Sequence, residues 1–574
     1  MANMNDHINS LRSLFLTISI LLIVSPASGL DEKPSLAKNG MVVSTSQLAS
    51  KVGRDVLARG GNAIDASVAT AFALAVTWPS AGNIGGGGFL IYHSANGKVT
   101  AIDFREKAPL AATEKMFLAK DGTLSDNSNH EGLLSVGVPG TVAGLFKAHT
   151  QYGKLPWAQL LDPAVQLAGK GIKTTEGIYQ SITSTTTSQR LRRDPAATQK
   201  FFQDGRLPYR PGDLWRQPDL AATLKRIQQH GHDGFYRGET AQQLAKTMKQ
   251  QGGLITAEDL ARYEAVERTP IHGTYRGYDL FSMPPPSSGG VTLVEMLNML
   301  EAFELQKMKH NSPAYLHLLT ETMRRAFADR AQHLGDPDFN PKMPVERLIS
   351  KSHAASLRQT IDLKKSSKSD PETFSQPYES DETTHICVVD GDGNAVSLTT
   401  TLENAFGSAI VAQGLGFLLN NEMGDFNPIP GHTDRTGLIG TAPNRVAPQK
   451  RMLSSMTPTI VAKNGKPVLL IGSPGGRTII NTVLQVIVNH IDFDMDIAEA
   501  IDAARIHHQW LPDVTRFESG TISETVQSQY RAMGHAIQFR SQQGRAMGIT
   551  IDHRSGLLSG ASDRRSVDGA AVGY

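Results

Sequence analysis

The sequence predicts a layered α/β protein, with strands folded into hairpins and amphipathic helices packed on either side. Three observations predict it. An apolar hairpin runs from Thr384–Val389 to Ala395–Thr401 around the turn Asp390-Gly391-Asp392-Gly393-Asn394. A second pair of short strands, Thr457–Ala462 and Val468–Ile471, flanks Lys463-Asn464-Gly465-Lys466 and leads into helices at Thr478–Ile491 and Ile497–Ala504. Upstream of both, helical stretches rich in alanine, leucine and valine alternate with loops.

Taken in order, the chain begins with Arg12, the twelve apolar-rich residues Ser13–Val24 and the small-residue exit Ser25-Pro26-Ala27-Ser28-Gly29. That pattern is a secretory signal peptide over residues 1–29, cut after Ala27 or Gly29, and it places the mature protein in the periplasm or outside the cell. The stretch is shorter than the ~20 residues of a spanning helix, and no later segment is apolar enough to span. Helices are expected at Ser46–Arg59 and Ala63–Val76, separated by the cap and turn Gly60-Gly61-Asn62. Gly85-Gly86-Gly87-Gly88 precedes strands at Phe89–His93 and Val99–Phe104, the latter ending on Arg105-Glu106. No Lys-Ser/Thr and no helix follows the glycines, so close packing of layers explains them better than a phosphate cradle does.

From 110 to 380 helices alternate with loops. Gly137-Val138-Pro139-Gly140-Thr141 reads as a turn into a helix, residues 181–200 as polar surface, and Pro284–Gly290 as a rigid loop feeding a helix at Val291–Glu304. Pro313–His333 reads as a second long helix, and residues 352–382 as a flexible exposed linker. After the second hairpin and its helices, the C-terminal segment returns to strands and turns.

Composition narrows the function. Lysine plus arginine total 57 against 55 acidic residues, a net charge of +2, which gives no concentrated basic face for nucleic acid. The single cysteine, Cys387, rules out an intramolecular disulfide and a cysteine-built zinc cluster. Within His385-Ile386-Cys387-Val388-Val389 it reads as a small core residue. His507 and His508 are adjacent and so point in different directions, which disfavours a shared metal.

At Thr383 a polar segment ends on the first residue of an apolar strand. Cutting the Glu382–Thr383 bond would give Thr383 a hydroxyl and a free α-amine, and the amine, with an ordinary pKa of ~7.7–8.0, suits general-base duty.

Several motifs in order around that threonine resemble the γ-glutamyltransferase family of bacterial type, within the N-terminal-nucleophile hydrolases. They are Asn62-Ala63-Ile64-Asp65-Ala66, Asn83–Gly87, Asp103–Glu106, Asp381–His385, Asn420–Phe426, Met452–Thr459, Gly472–Gly476 and Arg505–Asp513. The resemblance implies an αββα sandwich, two stacked antiparallel sheets flanked by helices. It implies self-cleavage into a large subunit, 30–382, and a small catalytic subunit, 383–574, intertwined as one unit. Thr383 matches the nucleophile, Thr401 the threonine that orients it, and Gly475 and Gly476 the oxyanion hole. Arg105, Ser454 and Ser455 match the groups that hold the substrate α-carboxylate. Asp425, with Glu403 and Glu422, matches the ammonium contacts. The implied donor is glutathione or another γ-glutamyl compound, and the implied acceptor is water, an amino acid or a peptide. No cofactor and no metal is expected.

Three positions depart from the family pattern. Glu403 stands where many relatives have asparagine. Thr436, in the lid-like segment Pro428–Leu438, stands where bacterial relatives often carry an aromatic residue. Arg564, in Asp563-Arg564-Arg565-Ser566, replaces a proline. Two other readings are an acylase acting on glutaryl or similar side chains of β-lactams, and an uncleaved binding homologue. The acidic set Asp425 and Glu422 argues against the first, and intact Thr383, Thr401, Gly475 and Gly476 argue against the second.

Overall fold

Side-chain alternation along one strand sets out the layers of the computed structural model, which describes residues 33–370, 382–436 and 440–574. The strand Glu382–Val389 sends Ile386 and Val388 into one apolar core, and Cys387 and Val389 into another. Its neighbour Gly87–His93 does the same, with Leu90 and Tyr92 on the first side and Phe89 and Ile91 on the second. Strands buried on both faces belong between two layers.

The strands of the two main sheets are, in chain order, β1 (Ser35–Ala37), β2 (Met41–Ser44), β3 (Gly87–His93) and β4 (Val99–Phe104). Then come β5 (Val266–Arg268), β6 (Ile271–Tyr275) and β7 (Tyr278–Ser282). The hairpin β8 (Glu382–Val389) and β9 (Ala395–Glu403) follows, then β10 (Thr459–Lys463) and β11 (Lys466–Gly472). The chain closes with β12 (Met547–Asp552), β13 (Leu557–Ser562) and β14 (Ala570–Gly573). One sheet has the order β14-β2-β8-β9-β3-β4-β5 and the other β1-β13-β12-β11-β10-β7-β6, each seven-stranded and antiparallel throughout. The sheets stack through β8 and β9 on one side and β11 and β12 on the other.

Helices α1 (Gln47–Ala58) and α2 (Ala63–Thr77) cover the first sheet. Helices α3 (Gly289–Leu300), α4 (Pro313–His333) and α5 (Thr478–Asp492) form the layer beyond the second, where α3 and α5 touch its strands and α4 packs on α3. The result is the expected αββα sandwich, with strands from both sides of residue 382 interleaved in both sheets. All fifteen residues of α2 are buried. Asn62 accepts from Asp65 N, while Asp65 accepts from Asn62 N, a capping box that fixes where α2 starts. Helix α4 has its predicted bounds, set by Ser312 at the N-cap and Pro313 in the first turn.

The glycine run packs as expected. A methyl on Gly86 would overlap Thr401 O, and one on Gly88 would overlap Thr399 O, so β3 lies against β9 with no room for side chains there. One expectation needs correcting. Residues 352–382 are not all linker: Lys351–Arg358 is a helix capped by Ser350, and Ser366 and Ser369 are buried. The stretch 181–200 lies largely at the surface, as expected, and is helical within Glu176–Thr183, Thr185–Leu191 and Pro195–Phe201. The expected signal peptide lies outside the described residues. No helix among the described residues is long and apolar enough to cross a membrane.

Candidate active site

Thr383 stands at an irregularity in the β8–β9 ladder. Glu382 pairs with Glu403 and Thr384 with Thr400, so Thr401 and Leu402 both oppose the single residue Thr383. Such a bulge twists the strand and re-aims side chains. Thr383 is buried and shares strand parity with His385 and Cys387, which face the second sheet. His385 Nδ1 meets Thr399 Oγ1 at 2.8 Å, and burial pushes its pKa down to about 3, so it stays neutral and structural. Cys387 packs between His385 and Met547 O, and burial raises its thiol pKa, as suits an inert core residue.

Thr401 is fixed from three sides. Its carbonyl accepts from Asn83 Nδ2 at 2.9 Å, its Oγ1 accepts from Glu403 N at 2.8 Å, and Gly86 presses on its backbone. Across from it, β11 ends at Gly472 and the chain turns through Ser473-Pro474-Gly475-Gly476 into α5. Gly475 has φ 131° and Gly476 φ 53°, conformations that favour glycine. Thr478 ties the turn down, donating from N and Oγ1 to Gly475 O at 3.0 and 2.6 Å. The Gly475 and Gly476 N–H groups meet no protein acceptor among the described residues, and they precede the positive end of α5.

Charged groups crowd the other wall. Arg105 is buried at the end of β4 and donates through Nη2 to Asp425, while Nη1 lies 2.5 Å from Glu422 and 3.6 Å from Glu106. Burial pushes the Glu106 carboxyl up to about 8 against the pull of Arg105, and drives Glu422 well above the carboxylate range in the same way. Protonation of these acids keeps the cluster from carrying three negative charges around one guanidinium. Asn444 joins the two loops involved, donating to Asp425 O at 2.6 Å and accepting from Leu453 N at 2.9 Å. Arg330, on α4, donates to Ser455 Oγ at 2.9 Å and Ser288 Oγ at 2.8 Å, so a cation backs the serine pair.

One cavity of about 20 Å³, room for a single water, is lined by Thr383, Thr401, Gly476, Arg105, Glu403, Glu422, Asp425, Ser454 and Ser455. Nine of the ten predicted site residues therefore converge. Gly475 lies one residue away and lines a neighbouring cavity of about 240 Å³ with Arg516 and Arg545. Sequence reasoning gave no role to Glu106, Arg330, Asn444 or His130. Glu106 was within reach, as the neighbour of Arg105 in the same motif. The others come from segments read only as helix or loop. Thr436 is exposed and bonded to Asp434, and it does not line the cavity; residues 437 and 438 of the lid-like segment lie outside the described residues. Arg564 is partly exposed and pairs with Asp502 at 2.6 Å, while Asp563 holds Arg505 and Arg565, so the missing proline is absorbed by an ion pair. His507 and His508 have separate partners, Asn481 and Asp513.

Glu403 occupies a left-handed position, φ 78°, which asparagine adopts more readily than glutamate. His130 Nδ1 lies 2.8 Å from its carboxylate. Burial alone would lower the His130 pKa, but Glu403 overrides it and holds the imidazolium above its usual value. A raised pKa means that the pair's stabilisation is complete below ~6.5 and fades as pH rises through the folded-state value. Glu403→Asn should therefore narrow its stability deficit to wild type, or exceed wild type, as pH climbs from 6 to 9. Thermal melts across that range check it; a difference independent of pH would refute the pairing.

A threonine at a bulged strand start, a glycine turn opening a helix and an αββα sandwich together define an N-terminal-nucleophile hydrolase. The profile of the family described as Gamma-glutamyltranspeptidase matches residues 49–573. The chain is 46% identical over 544 residues to the glutathione hydrolase proenzyme of Escherichia coli K12, covering 94% of this chain and 93% of that one. A cephalosporin acylase structure from Bacillus halodurans superposes with a TM-score of 0.81 at 29% identity, covering 94% and 97% of the two chains. The gamma-glutamyltranspeptidase of Helicobacter pylori aligns at 46% identity with a TM-score of 0.54, over 55% of this chain and 90% of that one. The chain belongs to the gamma-glutamyltranspeptidase family.

Proposed function

We propose that this chain is an exported proenzyme that cuts its own Glu382–Thr383 bond and then transfers or hydrolyses γ-glutamyl groups, with glutathione as a donor. The convergence of nucleophile, glycine turn and glutamate-matched charges on one cavity carries the reading. In processing, Thr383 Oγ1 attacks the Glu382 carbonyl carbon and the peptide C–N bond gives way to an ester. The Oγ1 proton passes to the Thr383 nitrogen as the C–N bond breaks, which frees the α-amine, and water then hydrolyses the ester, freeing the Thr383 hydroxyl and the Glu382 carboxylate. The freed amine takes the proton from Oγ1 as that oxygen attacks the substrate γ-carbonyl. The oxyanion meets the Gly475 and Gly476 N–H groups, and losing one such donor typically slows a reaction about 10²–10³-fold. The proton passes to the leaving nitrogen, and water or an amine then opens the γ-glutamyl-threonine ester.

The substrate's α-amino-acid end is a zwitterion. Arg105 and Asp425 satisfy each other. The substrate replaces that contact with two: its carboxylate on Arg105 and the serines, its ammonium on Asp425 and Glu422. That exchange keeps buried charge paired throughout. The acylase neighbour favours a second reading, in which a glutaryl group, without an ammonium, is the acyl donor. The acids facing the cavity favour the γ-glutamyl group. Intact masses of the purified protein should show two chains, the smaller being Thr383–Tyr574, and a γ-glutamyl anilide should be cleaved in preference to its glutaryl analogue. A single full-length chain that turns over γ-glutamyl substrate would refute the mechanism, and a preference for the glutaryl anilide would select the acylase.

A further inference from the structure

Three helices in the layer beyond the second sheet bring two carboxylates and an imidazole together, and none of the three lines the catalytic cavity. Glu295 comes from the middle of α3, Asp329 from near the end of α4, and His353 from the helix Lys351–Arg358. One ligand atom of each lies within 4.8 Å of the other two. His353 Nε2 is 2.6 Å from Asp329 Oδ2, and His333, one turn further along α4, stands 3.9 Å from Asp329 Oδ1. Positions 295, 329 and 353 have no ligand spacing between them, so only the fold assembles the group.

Glu295 is the unusual member. It is 1% exposed, and its Oε1 meets no hydrogen-bond donor among the described residues. A buried polar atom left idle costs free energy, and two carboxylates facing each other need a shared proton or a cation between them. Burial and the Asp329 charge together raise the Glu295 pKa well above the carboxylate range. The positive group at this cluster is Arg347, which is exposed and donates to the two histidines, at 3.2 Å from His353 Nδ1 and 3.1 Å from His333 Nε2.

We propose that Glu295, Asp329 and His353 form a site for one divalent cation of the zinc or manganese class, which clamps these three helices together. An imidazole nitrogen beside two carboxylates suits such an ion, whereas calcium takes oxygen ligands. Zinc bonds these donors at about 2.0–2.2 Å, so an ion at the centre of the three reaches each after small side-chain shifts. The ion takes the place of the Glu295 carboxyl proton, which leaves to solvent. The His353 proton moves from Nε2 to Nδ1, the exposed Arg347 turns out to water, and water completes the shell. The clamp lies behind the serine pair, because Arg330 follows Asp329 on α4 and donates to Ser455.

The test titrates Zn²⁺ into the untagged full-length protein after chelator treatment, in wild type, Glu295→Gln and His353→Gln. Calorimetry should show one saturable equivalent in wild type. Glu295→Gln keeps the size and shape of the protonated acid, and His353→Gln changes a helix that buries only Ala354, so both should fold. Each should weaken zinc binding at least about tenfold, the lower end for losing even an outer-shell partner of a metal ligand. Undiminished affinity in either variant overturns the site, as does a wild type that takes up no zinc. If a variant does not fold, zinc-edge X-ray absorption of the loaded wild type decides. One imidazole with oxygen ligands is the expected shell, and two or more imidazoles overturn the assignment.

Discussion

Thr383→Ala should yield a single unprocessed chain with no measurable γ-glutamyl turnover, while its fold persists. The prediction has two independent parts. Processing fails because, in the proposed cleavage, the Thr383 hydroxyl is the group that attacks the Glu382 carbonyl. Catalysis fails because no ester can form, and removal of a catalytic nucleophile typically lowers kcat by about 10⁴–10⁶. Stability should change little. Thr383 is one buried side chain at a bulge, whereas β8 is held along its length by β2 and β9, from Ile386 against Ser44 and Leu398 to Val389 against Met41 and Ala395. Truncating one small side chain costs about 1 kcal/mol, too little to unravel a central strand. Intact mass, anilide turnover and a thermal melt on one preparation separate the parts. A Thr383→Ala protein that still separates into two chains would show that another group attacks the bond.

The readable parts of this fold are those written in local periodicity. The β8–β9 hairpin carries its turn and its alternation within one local stretch, Glu382–Glu403, and Ser312-Pro313 announces the start of α4. What pairs with β8 from the other side is not local. Met41–Ser44 lies over three hundred residues away, as does β14 from β2, and nothing in either short apolar run names its partner. The helix Lys351–Arg358 was hidden by composition, because it buries only Ala354 and so looks like linker. Its one signal was Ser350, whose Oγ accepts from His353 N.

The site divides the same way. Motifs gave its charges, and burial decided how they interact. In the sequence Arg105, Glu422 and Asp425 are separate hands for a substrate, but in the structure they hold one another, with Glu106 as a fourth member. A sequence cannot state that a glutamate is fully buried, so it cannot state that burial keeps its proton on.

Arg105→Lys follows from that cluster. The guanidinium serves Asp425 and Glu422 through different nitrogens and also donates to Met452 O at 3.4 Å and Leu453 O at 3.2 Å. A lysine ammonium keeps the charge but not the planar fork, so it cannot bind both oxygens of the substrate carboxylate while staying near Glu422. Losing a two-bond charged contact in a buried site is worth about 3–5 kcal/mol, or roughly 10²–10⁴-fold. The loss should appear in kcat/KM for γ-glutamyl donors, mostly through KM, because the carboxylate is bound alike in ground and transition states. Processing should survive, since the Glu382–Thr383 bond offers no α-carboxylate to Arg105. Two chains by mass, with a donor KM raised at least about a hundredfold, is thus the expected combination. A normal KM would show that the serines and Arg330 alone hold the carboxylate. A single uncut chain would show that the buried charge cluster also shapes the bulge at Thr383, and would tie the binding and processing halves of the site into one structural unit.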